Sequence, residues 1–450
     1  MLSSKYVLSV IRQAVAVITL GGTCLSAQGA DLLEVYRLAL ANDATFEAAR
    51  HGFEVAQERS PQARAGNLPT VVLNGSNNVT QAQASFNGAP AVERNVSAWN
   101  WTLQLTQPIM RPQNILAYYE SEAQVEAAQA QFAQAEQDMI LRVAQAYFDV
   151  LVAQESVASA EAQLSAMEDQ GVAARRGYEL GTMSITDTHE AKSKAELARA
   201  QLIAAQNDLE VKQTELERLT NQPLDKLASL QPTVVAPQPQ PADPKAWISQ
   251  ARDNNPVVRS QISALRAAGF TVTKTKAEFT WTLDFVASYG SNYSSGSASL
   301  PTDLETRITP ATVGFQFSMP IFTGGLSSSH LREAYSNRDK LSAQLEETRR
   351  KAGSDARQAY AGIINGLAQT GALRSAVESG ESSVKGNQAG YKLGIRINSD
   401  VLNAQQQLFA SRRDLVKARY DTLLQGLKLK AAAGVLSEAD VVAINGMLER

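Results

Sequence analysis

The stretch Trp99-Asn-Trp-Thr-Leu-Gln-Leu-Thr-Gln-Pro-Ile-Met-Arg111 constrains this chain more than any other. Trp99, Trp101, Leu103 and Leu105 alternate with Asn100, Thr102, Gln104 and Thr106. Successive side chains of a strand point to opposite faces, so a strand here has one apolar and one polar face. Pro108 has no N–H to give to a ladder and is expected to end the strand. Beyond Pro112 the sequence is dominated by Ala, Gln and Glu for tens of residues, a helix-forming composition. One chain therefore passes from an amphipathic strand into a very long helix at a proline.

The passage occurs twice. Val313-Gly-Phe-Gln-Phe-Ser-Met-Pro-Ile-Phe322 has the same alternation and the same Pro-Ile, 212 positions later. A repeat of this length reorganises the reading of the whole chain. In the first pass, residues 31–64 read as helix with a polar break at Asn42-Asp43. Thr70 to Gln83 and Val96 to Gln107 form a hairpin about Phe86-Asn-Gly-Ala-Pro90. Gln113 to Glu179 is a helix near 100 Å long at ~1.5 Å per residue. Its apolar rows Val125, Phe132, Met139 and Val143, Val150, Val157, Leu164 step by sevens, which implies a coiled coil. Gly177-Tyr-Glu-Leu-Gly181 ends it. A helix restarts at Ser184-Ile-Thr-Asp187, with Asp187 the expected cap, and runs to Asn221.

The second pass gives a helix from Asp243 to Lys276 broken at Asn254-Asn-Pro256, a strand from Phe279 to Tyr289, and a return strand from Thr306 to Phe322. A second long helix spans 324–389. Gly390-Tyr-Lys-Leu-Gly394 and Asp400 fall 213 positions after Gly177-Tyr-Glu-Leu-Gly181 and Asp187, and the last helix ends at Gly434. The expected organisation is therefore a signal at 1–30, a first repeat at 31–220 with its hairpin at about 68–109, and a Pro-rich connector at 221–243. A second repeat at 244–434, with its hairpin at about 279–321, and a tail at 435–450 complete the chain.

Lys5 and Arg12, the apolar run from Ala14 to Leu25 and the small residues of Ala27-Gln-Gly29 carry the signal reading. Cys24, the one cysteine, lies inside that signal and follows Gly21-Gly-Thr, a poor fit to a lipid-anchor site, so the mature chain is expected to hold no disulfide or thiol. No later apolar run approaches the ~18–20 residues of a spanning helix, so entry into a membrane requires a barrel. A net charge of −3 argues against nucleic acid, which favours a clustered basic surface. His51, His189 and His330 are scattered, His189-Glu190 lacks the second His of a zinc helix, and neither a phosphate-cradling loop nor Gly-x-Ser-x-Gly occurs. Neither catalysis nor a metal or other cofactor is expected.

Four amphipathic strands cannot close on themselves, because small barrels start near eight. Left open, they expose aromatic-rich edges. Three chains sharing strands give twelve, and the helices, too polar for lipid, must project into water. The fold class is thus an α+β membrane protein: a duplicated repeat, four strands per chain, building a shared barrel in one membrane that is continued by a long helical tube.

At this point the chain resembles the TolC-type outer-membrane channels of efflux and type I secretion. The resemblance covers the mature chain. It is carried by Asp31-Leu-Leu-Glu-Val-Tyr36, Leu68-Pro69, Gln107-Pro-Ile109, Met319-Pro-Ile-Phe-Thr-Gly-Gly325, Gly177 to Asp187, and Gly390 to Arg396 with Asp400-Val-Leu-Asn-Ala404. The tail from Leu429 to Asp440 adds to it. The resemblance implies a homotrimer, a trimeric 12-stranded outer-membrane β-barrel in outer-membrane lipid continued by a long periplasmic α-helical barrel with an equatorial belt. It implies work with a periplasmic adaptor protein and an inner-membrane ABC or proton-driven transporter. It also implies a duct closed at its periplasmic tip, where Thr186 and Asp187 of one helix pair face Tyr391 and Arg396 of another. Asp400 matches a pore-lining acidic position, while Asn403 departs from the family's second acidic ring. The turns at Leu180, Gly181, Leu393 and Gly394 match those that receive the adaptor. Asp187 and Asp400 are also cap-type residues, and Tyr178 and Tyr391 could simply pack a helix turn. The rival reading is a periplasmic coiled-coil adaptor or structural protein, which would have no use for two aromatic hairpins in matched positions. A simple diffusion porin would have no use for the heptad helices.

Overall fold

The computed structural model describes residues 29–449 apart from residues 86, 89, 225, 233 and 299–303, so the signal expected at 1–30, with Cys24, lies almost wholly outside the described residues. Three short helices open the chain: α1 (Leu32–Asn42), α2 (Ala44–Gln57) and α3 (Arg59–Ala65). The break between the first two falls at Asp43, whose carboxylate accepts from the Thr45 and Phe46 N–H groups and caps α2. The hairpin β1 (Thr70–Ala84) and β2 (Val92–Met110) leads into α4 (Pro112–Glu179, 68 residues) and α5 (Ile185–Thr220). The order then replays. α6 (Pro244–Asn254) and α7 (Pro256–Lys276) meet at Asn255, whose side chain caps α7 as Asp43 caps α2. A 3-10 turn (Ala277–Phe279), β3 (Thr282–Ser294), β4 (Thr306–Ile308) and β5 (Ala311–Ser318) precede α8 (Leu326–Lys392, 67 residues), α9 (Asn398–Ala432) and a final α10 (Glu438–Asn445).

The strands make one antiparallel sheet in the order β1-β2-β3, with β4 and β5 both paired to β3. Two details depart from the sequence reading. Pro108 does not end β2: the strand continues to Met110, and a register shift between Pro108 and Met110 absorbs the missing donor as a bulge. The return strand is not continuous from 306 to 322 but is split around Thr309-Pro310 and stops at Ser318, while Phe279 belongs to the 3-10 turn.

Register aligns apolar positions of β1, β2, β3 and β5 on one face. Leu73 pairs with Leu103, Leu103 with Tyr289, Val71 with Leu105, Leu105 with Ala287, Ala287 with Val313, and Phe285 with Phe315. Trp99 stacks on Tyr293 at 5.7 Å, and Trp101 meets Tyr289 edge-on at 5.7 Å. The opposite face carries Asn74, Thr102, Gln104, Ser288 and Gln316. Gly290 is needed where β3 crosses β2, because a Cβ there would fall on the Trp101 carbonyl oxygen. At the foot of the sheet Arg111, which precedes α4, donates through Nε and Nη2 to the two oxygens of buried Asp284 on β3, at 2.7 and 2.5 Å. This fork ties the first repeat's strand-to-helix passage to the second repeat's sheet.

Among the described residues no helix is long and apolar enough to cross a membrane. The long helices are heptad-built, but the most buried row is not the valine one. Val143 and Val150 are buried while Val157 and Leu164 are only half-buried, and the continuous seam is Met139, Ala146, Ala153, Ala160, Met167 and Ala174. Ala191 and Ala198 of α5 and Leu402 of α9 close on its far end. Small seam residues let helix axes come close, at the short end of the ~8–10 Å range. Midway along α4 the section thickens into a belt. Tyr147 is fully buried and donates to the carbonyls of Ala30 (3.2 Å) and Ala228 (2.7 Å), while Tyr420 Oη accepts from the Leu230 N–H at 3.2 Å. The connector and tail pair here through Leu230 and Leu448, and the Glu449 N–H donates to the Ser229 carbonyl at 2.8 Å.

Candidate functional site

The far ends of the two long helices are built alike. α4 stops at Glu179 and α8 at Lys392, each followed by a leucine and then a glycine in the left-handed region, Gly181 at φ +74° and Gly394 at φ +75°. The Gly181 N–H reaches the Tyr178 carbonyl and the Thr182 N–H the Gly177 carbonyl; Gly394 and Ile395 reach Tyr391 and Gly390 in the same way. These are glycine C-terminal caps of the Schellman type, and they turn the chain back into α5 and α9. They leave Leu180 79 % and Leu393 74 % exposed, with Ile395 and Ile397 also in solvent. Leu393, Ile395 and Ile397 thus leave a small apolar group at the second turn.

Each turn also folds a side chain back over a glycine. A Cβ on Gly177 would sit 2.6 Å from Cγ and Sδ of Met183, and one on Gly390 would sit 2.8 Å from Cγ of Arg396. The repeats then diverge. Ser184 caps α5 in a capping box, its hydroxyl accepting from the Thr186 N–H at 3.2 Å while Asp187 accepts from the Ser184 N–H at 3.1 Å. Asp187 is therefore the third residue of α5 and not its cap, contrary to the sequence expectation. The equivalent of Ser184 is Ile397, which has no hydroxyl, and Asp400 makes no cap bond. Its carboxylate lies instead 3.6 Å from Arg396, one helical turn before it.

Across the two pairs Tyr391 donates to Met183 Sδ at 3.1 Å. Burial, and next the negative charge of Asp187, hold its phenol above the ordinary range, so it remains a donor. One turn deeper, Lys194 of α5 reaches across to α9, 3.5 Å from Asn403 Oδ1 and 3.3 Å from Gln406 Oε1. Within one chain, then, Tyr391 lies beside Asp187, Arg396 is joined to Asp400, and Thr186 stays exposed at the start of its helix. Among the described residues no ion pair joins Arg396 to Asp187. Sequence reasoning missed Met183 and Lys194. Met183 could have been found as the position 213 before Arg396; nothing in the sequence marked Lys194.

No cluster among the described residues could hold a metal ion. Residues 35–222 and, separately, 247–435 match the model of the family described as outer membrane efflux protein. The chain belongs to this family. The double match falls on the two halves of the repeat. This TolC-type channel is 31% identical over 416 residues to the alkaline protease secretion protein AprF of Pseudomonas aeruginosa, covering 91% of this chain and 85% of that one. It is 28% identical over 428 residues to the proteases secretion protein PrtF of Dickeya chrysanthemi, covering 93% and 91%. Its fold superposes on the outer membrane protein VceC of Vibrio cholerae with a TM-score of 0.75 at 20% identity, over 90% of this chain and 96% of that one. The chain is an outer-membrane exit duct for efflux and type I secretion, with its helical part in the periplasm. It is a channel and not an enzyme. Channels of this type work with adaptors and inner-membrane transporters in tripartite systems.

Proposed function

We propose that three copies of the chain form a homotrimer whose twelve strands close into one outer-membrane barrel and whose six helical hairpins form one tunnel. The observation that carries this reading is the sheet itself. Its apolar face runs across β1, β2, β3 and β5, yet among the described residues the outer sides of β1 at one end and of β4 and β5 at the other have no partner. Unpaired edges of that length are normally covered, and a rotational assembly pairs each with the next copy. The apolar band then meets outer-membrane lipid and the polar face lines water. Residues 1–30 act as the export signal, 31–220 and 244–434 as the two repeats, and 221–243 with 435–450 as the belt that girdles the tunnel.

The tunnel is closed at its tip by contacts between neighbouring helix pairs, with Thr186 and Asp187 facing Tyr391 and Arg396. Asp400 forms a ring of three carboxylates just inside, and Asn403 replaces a second such ring, so block by multivalent cations is weak. Leu180, Gly181, Leu393 and Gly394 receive the hairpin of a periplasmic adaptor. Opening is an outward turn of the inner helices, driven by an adaptor with an inner-membrane ABC or proton-driven transporter. Both AprF and PrtF are named for protease secretion, which favours type I secretion of protein for this chain.

Single-channel conductance in planar bilayers tests the gate, with wild type beside Arg396→Ser. A small wild-type conductance that rises clearly in the variant is expected. Equal conductances would overturn the gate assignment, and a detergent-purified monomer that still conducts would overturn the trimer.

A further inference from the structure

The charge at the narrow end of this duct is carried by residues from both helix pairs. Between Asp400 and Arg412, α9 bears no charged residue. At the level of Asn403 a cation reaches across from α5: the Lys194 ammonium faces the side-chain carbonyl oxygens of Asn403 and Gln406 at 3.5 and 3.3 Å. Two neutral acceptors hold the cation without cancelling it. One turn nearer the tip, Asp400 is met by Arg396 at 3.6 Å, and Asp187 is engaged by the N–H of Ser184. Asp400 thus has Arg396 as its ion-pair partner within the chain, while Lys194 lies seven residues beyond Asp187 on α5 and faces only neutral acceptors of α9.

We propose that Lys194 is a selectivity-determining residue of the duct. Together with Arg396 it offsets the carboxylates at the constriction, so that anions and acidic polypeptide segments pass as readily as cations. The inference rests on the reading of Asp400 and Asn403 as the constriction. In a pore narrower than the ~8 Å screening length, each fixed charge acts on every passing ion, and a trimer repeats it three times. An amide-lined level with a lysine behind it should therefore differ in sign from one lined by acids.

The test is the potassium-to-chloride permeability ratio, read from reversal potentials under a KCl gradient. It compares the full-length protein with Lys194→Gln, Lys194→Arg and Arg396→Gln. A wild-type ratio within about threefold of unity, raised severalfold by Lys194→Gln and unchanged by Lys194→Arg, is expected. A strongly cation-selective wild type, or a Lys194→Gln ratio equal to wild type in channels of normal conductance, overturns the proposal alone. If Arg396→Gln leaves conductance unaltered while Lys194→Gln shifts the ratio, the gate assignment fails and the selectivity role stands.

Discussion

Glu168 and Arg199 meet at 2.8 Å across the α4/α5 pair, and the residues 213 positions further on, Glu381 and Arg412, meet at 2.6 Å across the α8/α9 pair. Duplication has kept an interhelical ion pair in both arms although most surrounding residues have changed. All four side chains are about half exposed, so each pair is screened by water and salt and contributes little. Arg199→Ala and Arg412→Ala should each lower the melting temperature slightly, Arg199→Ala the more because Arg199 also meets Glu196 at 3.3 Å, with the loss vanishing at high salt. Differential scanning calorimetry in low and high salt checks this; a large loss from either variant would mean that the pair also contacts another chain.

Gly390 seats the stem of Arg396. In Gly390→Ala the new methyl would meet Arg396 Cγ at 2.8 Å, and the arginine must lift away. Conductance is expected to rise towards that of Arg396→Ser, although no charge is altered. Gly177→Ala should displace Met183, the acceptor of Tyr391, and raise conductance less. A closed channel in Gly390→Ala would show that the arginine's seat is unimportant.

Gly290→Ala tests the sheet. A methyl group there collides with backbone of β2, which cannot rotate out of the way, so β2 and β3 must separate. Folded, heat-modifiable oligomer on unheated gels should fall sharply, with little change in the helical circular dichroism of whatever folds.

Asp149 on α4 is held above the ordinary carboxylate range chiefly by burial, against the opposing pull of Gln145 and Lys212. A carboxyl whose folded pKa is raised destabilises the folded state as pH climbs from the ordinary range through the raised value, and costs nothing below it. Asp149→Asn should therefore raise thermal stability at neutral pH, with the gain disappearing in acid below about pH 4. Glu136, raised by burial alone, should respond to Glu136→Gln in the same direction. Thermal melts across this pH range decide the matter.

The duplicated architecture was legible because each of its signals is periodic: alternation in Trp99 to Thr106, steps of seven along α4, and the glycine turns repeated at one offset. What the sequence hid was local competition. Pro108 looked like a stop, but a bulge lets the ladder skip one donor. Asp187 looked like a cap, but Ser184 three residues earlier accepts from the Thr186 N–H and leaves Asp187 the reciprocal half of the box. The seam was misread because alanine gives a weak hydrophobic signal, although its small size is what lets the helices close. The contact of Lys194 with α9 joins residues more than 200 positions apart and follows only from the packing of the two pairs.

The near-identity of α4 and α8, at 68 and 67 residues, has a consequence for how the molecule meets whatever lies beneath it. Both begin at the foot of the sheet and both end in the same glycine turn. A difference of one residue amounts to about 1.5 Å over a length near 100 Å, so the two arms behave as matched struts. In the duct proposed above, arms so matched would bring the turns at Leu180 and Leu393 to one level. One residue inserted into a single arm would do more than lengthen it: everything below would swing by about 100°, and that one level would become a staircase.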